Sequence, residues 1–283
     1  MMWESLVDKL PIGQWVAAGV SRLTEPAAGG VAFFSDGLES AVQALTRVLV
    51  ACPPLLLLFI ATFLIYRLRR SWGFTLFSAL ALILIDNLAY REATLQTLVQ
   101  VALATAICML IGVPLGIAAA HRPWVYRVLH PLLDLMQTIP TFVYLIPTLM
   151  LFGLGIVPAM VSTIIFALPA PVRLTYLGLR DIPPPLLEAA KAFGYSPLAR
   201  LWRVELPAAM PGIAAGLTQC IMLSLSMVVI AALVGAEGLG QPVVRALNTA
   251  DMALGFEAGL AIVLLAIMLD RLCQSNSLSR EKR

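Results

Sequence analysis

Apolar runs alternate with short polar stretches along almost the whole chain. Seven runs stand out, near residues 48–66, 73–90, 95–119, 132–152, 156–177, 212–235 and 256–272. Each is close to the ~20 residues that a helix rising ~1.5 Å per residue needs to cross a hydrocarbon core. Lipid offers the backbone no partners, so only helices and closed barrels span it. None of the runs shows the period-two alternation of a barrel strand, so helices are predicted. The expected fold is an all-α integral membrane protein with about seven transmembrane helices.

Composition agrees. Of 283 residues, 60% are hydrophobic and 12% charged, and the mean hydropathy of +0.91 lies far above that of a soluble chain. The net charge of +3 matters less than where the charges fall, and it carries no nucleic-acid signal. With seven spans, residues 67–72, 120–131, 173–211 and 271–283 share one side, and they hold fourteen of the nineteen Lys and Arg. The positive-inside bias makes that side cytoplasmic, giving N-terminus out and C-terminus in.

The predicted outer tail has its own pattern. In "DGLESAVQALTRVLV", Asp36 and Glu39 have capping-box spacing. Glu39, Ser40, Gln43 and Arg47 then share one helical face, and Leu38, Ala41, Val42, Leu45, Val48 and Leu49 the other. Such a helix either lies along the outer membrane surface or extends the first span, with Pro53-Pro54 marking a break or a kink. Residues 1–30 hold Glu4, Asp8 and Glu25 and no basic start before an apolar run. Targeting is therefore expected to rest on the spans.

Candidate chemistry is sparse. Cys52, Cys108, Cys220 and Cys273 lie far apart and read as packing residues, and no metal site is expected. The three lysines follow Asp8, Ala190 and Glu281, whereas a phosphate-binding loop needs glycine there. His121 and His130 flank one short loop without a ligand or catalytic pattern. Asp86, Asp134, Arg173 and the Asp270-Arg271 pair sit near predicted span ends, where interfacial hydration accounts for them. A nearly uncharged membrane interior argues against an ion relay and places the energy source outside this chain.

One cytoplasmic stretch is conspicuously polar: "EAAKAFGYSPLARLWRVELP", residues 188–207, carries five charges. "EAAKAFG" predicts a helix ended at Gly194, and Ser196-Pro197 a cap and first turn of a second. Leu198, Leu201, Trp202 and Glu205 then recur at helical spacing, and Leu206-Pro207 is expected to stop the helix before a span opening at Pro211. The prediction is a rigid helix-turn-helix presenting mixed charge and an aromatic to the cytoplasm.

Here the chain resembles the permease subunits of bacterial ATP-binding-cassette importers. Their signature is Glu-Ala-Ala, three residues, Gly, nine residues, an aliphatic, one residue, then Leu-Pro. Glu188-Ala189-Ala190, Gly194, Val204 and Leu206-Pro207 fit every fixed position, with Val where Ile is commoner. Over residues 90–273, "MQTIPTFVYLIPTLMLFGLG", "TIIFALPAPVRLTYLGL", "LSMVVIAALVGAEGLGQPVV" and "LAIMLDRL" look like the permeases for glycine betaine, proline betaine and choline. The resemblance implies a type I importer permease-like bundle in the bacterial inner membrane. Its divisions would be a periplasmic tail with an amphipathic helix (1–47), two transmembrane helices (48–89), a core permease domain (90–273) with its coupling loop at 180–211, and a cytoplasmic tail (274–283).

The resemblance also implies a homodimer, two cytoplasmic ATPase subunits, and a periplasmic or lipid-anchored solute-binding protein. This chain would bind no cofactor, ATP and Mg belonging to the ATPase. Glu188, Ala189, Ala190, Gly194, Arg200 and Arg203 would couple to that ATPase, with the small Ala189 and Ala190 allowing close approach. Gln137, Thr138, Pro140, Phe142, Tyr144, Ser224, Ser226 and Met227, polar or aromatic groups in aliphatic spans, are candidate pathway contacts. Phe142 and Tyr144 offer the aromatic faces that hold a quaternary ammonium. Helix packing and repair beside proline are the competing reading. The outer loop 236–255 is expected to gate the pathway, meet the binding protein, or only link two spans. An ion-coupled secondary transporter of similar solutes is the alternative function.

Overall fold

The structure, a computed structural model, describes residues 28–273, so the tail segments predicted at 1–27 and 274–283 lie outside the described residues. All described elements are helical. In chain order they are α1 (Ala28–Ala51), α2 (Pro54–Arg69), α3 (Trp72–Asn87), α4 (Arg91–His121), α5 (Pro123–Thr138), α6 (Thr141–Phe152) and α7 (Ile156–Ala167). There follow α8 (Pro169–Arg180), α9 (Pro184–Ala192), α10 (Pro197–Arg200), a π-helical turn (Leu201–Glu205), α11 (Leu206–Ala232), α12 (Gly240–Thr249) and α13 (Met252–Cys273).

Four stretches are long and apolar enough to cross a membrane unaided: α4, α7 with α8, Pro197–Ala232, and α13. The other three predicted spans differ from a straight crossing. α3 has 16 residues, about 24 Å. The α1/α2 pair is bent by 105° and the α5/α6 pair by 97°. Each bend falls at proline. Pro53 and Pro54 lack the N–H groups that Leu49 and Val50 carbonyls would have received. The Leu49 carbonyl takes the Cys52 N–H instead, at 3.3 Å. Arg91 Nη2 donates to the Val50 and Cys52 carbonyls, at 3.1 and 2.8 Å. The run predicted at 48–66 is therefore interrupted, with α2 starting at Pro54 and α1 leaving it at a steep angle instead of extending it in line.

α1 also starts earlier than its capping pattern predicts. The helix is already formed at Ala28, which leaves Asp36 in its interior without a capping role. Its polar face forms a ladder in which Gln43 Nε2 donates to Glu39 and Arg47 Nη2 to Gln43. Leu38 and Val42 pack on Val99, Ala104, Val157 and Met160, while Leu45 and Val48 remain exposed.

The bundle centres on α7/α8, whose span is the most enclosed of the four at 61% buried. Bare backbone makes this possible. A Cβ on Gly112 of α4 would lie 2.8 Å from Pro171, and one on Gly116 2.7 Å from Thr175 and from the Val172 carbonyl. On the opposite side, a Cβ on Gly212 of α11 would lie 2.9 Å from the Leu174 carbonyl. Lipid supplies no hydrophobic drive between helices, so dispersion at close approach has to hold them. A second cluster packs α3, α4, α11 and α13 through Ile85, Val101, Leu225, Leu239 and Leu265.

The seam predicts a sharp asymmetry between glycines. Gly116→Val should destabilise the fold by about 1–3 kcal/mol and lower the thermal midpoint of the detergent-purified protein. Gly259→Ala, with nothing within 4 Å, should leave it unchanged. Scanning fluorescence on both variants measures the difference.

Candidate functional site

The polar stretch forms two helices joined by a tight turn, as expected at its start. Gly194 takes φ +75°, a left-handed conformation that side chains disfavour, and the space around it is open. The Tyr195 N–H returns to the Ala190 carbonyl at 3.1 Å, and Ser196 Oγ caps the Ala199 amide. Glu188, Ala189 and Arg203 are exposed and Arg200 half-buried, whereas Ala190 is buried at 3% and packs against the chain itself. Its methyl is therefore not on the presented surface. Near the exposed charges in the chain stand three exposed apolar side chains, Phe193 (83% exposed), Leu198 and Trp202 (66% each).

The expected stop at Leu206-Pro207 is absent. Pro197–Ala232 is continuous, because a π turn precedes the proline. The Leu206 N–H reaches back five residues to the Leu201 carbonyl, and this wider turn accommodates a proline that would otherwise break the helix. The extra residue also shifts the helical phase. Glu205, which spacing placed beside Leu198 and Trp202, turns inward to 4% exposure while those two face out. Its carboxylate is held by Arg200 Nε at 2.6 Å and by His121 Nε2 at 2.7 Å. His121 Nδ1 also meets the Ile117 carbonyl at 2.9 Å, so both ring nitrogens are engaged. The sequence reading set His121 aside for lack of a ligand or catalytic pattern and placed Glu205 on the outward face, so the contact between them was missed.

The predicted pathway residues are not brought together. Ser224 and Met227 are buried within this chain, and Ser226 faces the other way, its hydroxyl bonded to the Met222 carbonyl. The run at 132–152 is a broken helix, and its polar groups repair the break. Pro140 cannot serve the Met136 carbonyl, and Tyr144 Oη donates to it instead at 2.7 Å. Thr138 Oγ1 bonds Leu135. Gln137 and Phe142 are exposed and available to a partner or a solute. Two of the charges near span ends are paired: Asp134 binds both Arg173 and His130, linking α5 to α8.

At the opposite end, the turn after α11 is pinned onto α4. Gln96 Nε2 donates to Glu237 Oε2 and Gln100 Nε2 to the Glu237 carbonyl, both at 2.7 Å. The Leu239 N–H donates to Thr97 Oγ1 at 2.9 Å. Part of the 236–255 loop is thus an anchored structure, and most of the rest is α12 and the first turn of α13.

Known proteins share this architecture. Residues 112–274 match the family described as binding-protein-dependent transport system inner membrane component. The chain is 40% identical to the glycine betaine transport system permease protein OpuAB of Bacillus subtilis, over 98% of each chain. It is 42% identical to the glycine betaine/carnitine transport permease protein GbuB of Listeria monocytogenes, over 95% of this chain and 96% of that one. Among solved structures, an inward-facing conformation of the MetNI methionine ABC transporter superposes with TM-score 0.53 at 25% identity, covering 66% of this chain and 90% of that chain.

In a background without native cysteines, Trp202→Cys and Phe193→Cys should react with a membrane-impermeant maleimide from the cytoplasmic side. Ala190→Cys should stay unreactive. Labelling of Trp202→Cys only from the outside would reverse the orientation.

Proposed function

This chain belongs to the binding-protein-dependent inner-membrane components of ABC importers, and from that footing we propose that it conducts quaternary ammonium solutes of the choline, glycine betaine and carnitine type. It is a transport component of the bacterial inner membrane, and the ATPase is a separate subunit. The relatives' own solutes, glycine betaine and carnitine, support the class. A quaternary ammonium has no N–H to donate and is held by aromatic faces. Phe142 is the stronger candidate for such a contact, because its ring is exposed whereas Tyr144 is half-buried.

The observation that carries the mechanism is the exposure of Phe193, Leu198 and Trp202, near Glu188, Lys191 and Arg203 in the chain. They belong to a rigid element, and they fit a groove on an ATPase subunit. Glu188, Ala189, Gly194, Arg200 and Arg203 act there, Ala190 serving from behind as packing. A homodimer brings two such loops to two ATPase subunits, which bind ATP and Mg. Closure of the ATPase pair moves the loops, and rigid-body motion of the helices alternates access. The solute-loaded binding protein favours one of the two states by binding it more tightly.

Glu188→Ala and Gly194→Asp should leave the complex with its ATPase assembled while ATP hydrolysis continues and solute uptake falls. At Gly194 the left-handed φ adds backbone strain of about 1 kcal/mol to the new charge. Paired uptake and hydrolysis assays on proteoliposomes measure this, and normal uptake in both variants would refute the role of the loop.

A further inference from the structure

Resting on that reading, we propose that α4 is a rod braced against both ends of the continuous Pro197–Ala232 helix, at the ATPase-facing loop and at the outer turn, with His121 and Glu205 as positioning residues at one end and Gln96, Thr97 and Gln100 at the other. The rod is a single 31-residue helix, about 46 Å long. At its loop end Glu205 touches both His121 of α4 and the loop's Arg200 through its carboxylate, which is almost wholly buried. A carboxylate removed from water persists when each oxygen has a partner, and here each has one. Removing either partner leaves an unsatisfied acceptor, so the loop and α4 prefer to move together.

Between the ends, the rod does not slide independently. Gly112 and Gly116 are seated against Pro171, Val172 and Thr175 of α8 at distances that leave no slack. Pro114 lies between them, and the helix continues through it to His121. At the outer end, the three bonds to Glu237 and Leu239 attach the turn that follows α11. Gly238 has φ +122°, and a Cβ there would lie 2.5 Å from Thr97 Oγ1, so the turn is built for this one close contact. The clamp and the latch are therefore two attachments on one stiff element. A displacement of the loop reaches the outer turn without passing through α5, α6 or the bent α1/α2 pair. The same linkage runs in reverse, so a binding protein engaging the outer turn biases the loop.

The test uses the reconstituted complex of permease, ATPase subunits and binding protein, and reads the stimulation of ATP hydrolysis by solute-loaded binding protein. His121→Ala and Glu237→Ala should each cut that stimulation by at least about fivefold, the lower range of an allosteric coupling, with the complex still assembled. His121→Gln, which keeps a donor toward Glu205, should recover most of it. A purely structural role would lower thermal stability in His121→Ala without this selective loss or the glutamine rescue. Wild-type stimulation in both alanine variants would overturn the rod. A wild-type complex showing no stimulation and no ATP-dependent uptake would overturn the functional reading instead.

Discussion

Close approach of α8 to α4 and α11 is the constraint on which the rest of this protein depends. In lipid, side chains gain little by leaving one apolar surroundings for another, so helix association rests on contact itself. Gly112, Gly116 and Gly212 remove the side chains that would hold the backbones apart. With α8 fixed between its neighbours, the direction of the chain at Arg180 is fixed too, and α9 leaves from there toward the loop. Asp134 on α5 then pairs with Arg173 on α8, so the broken helix is referenced to the same axis.

Prolines shape everything around that rigid centre, and each break is closed by a named group. At Pro53-Pro54, Arg91 serves the Val50 and Cys52 carbonyls and the Cys52 N–H that of Leu49; Tyr144 serves the carbonyl freed at Pro140, and a π turn absorbs Pro207. Buried carbonyls without partners would each cost a few kcal/mol in hydrocarbon. Thr138 and Tyr144, which looked like pathway contacts, are thereby accounted for in their polar atoms. What remains uncommitted near the break is Gln137 and Phe142, and the account of solute passage rests chiefly on these.

Helix content and the turn at Gly194 were legible in the sequence because each has a local cause: apolar length and a glycine free to take a left-handed conformation. The bends were only half legible. Pro53-Pro54 announces a break, but the group that serves its freed carbonyls, Arg91, is distant in sequence. The stop expected at Leu206-Pro207 failed because proline's penalty was met by one wider turn, and that turn rotated Glu205 out of the face its spacing assigned. The clamp to His121 was invisible for the same reason. No single-helix pattern encodes a contact between the ends of two different helices, and small residues such as Ala189 and Ala190 do not declare which of them faces outward.

The central claim is that an external ATPase acting on this loop drives uptake. Its most direct measurement is solute accumulation in proteoliposomes holding the permease, its ATPase subunits and the binding protein, with internal ATP and ion gradients varied separately. Uptake of a betaine that requires internal ATP and ignores imposed proton and sodium gradients is the predicted result. Uptake that follows an ion gradient and proceeds without the ATPase would contradict the account.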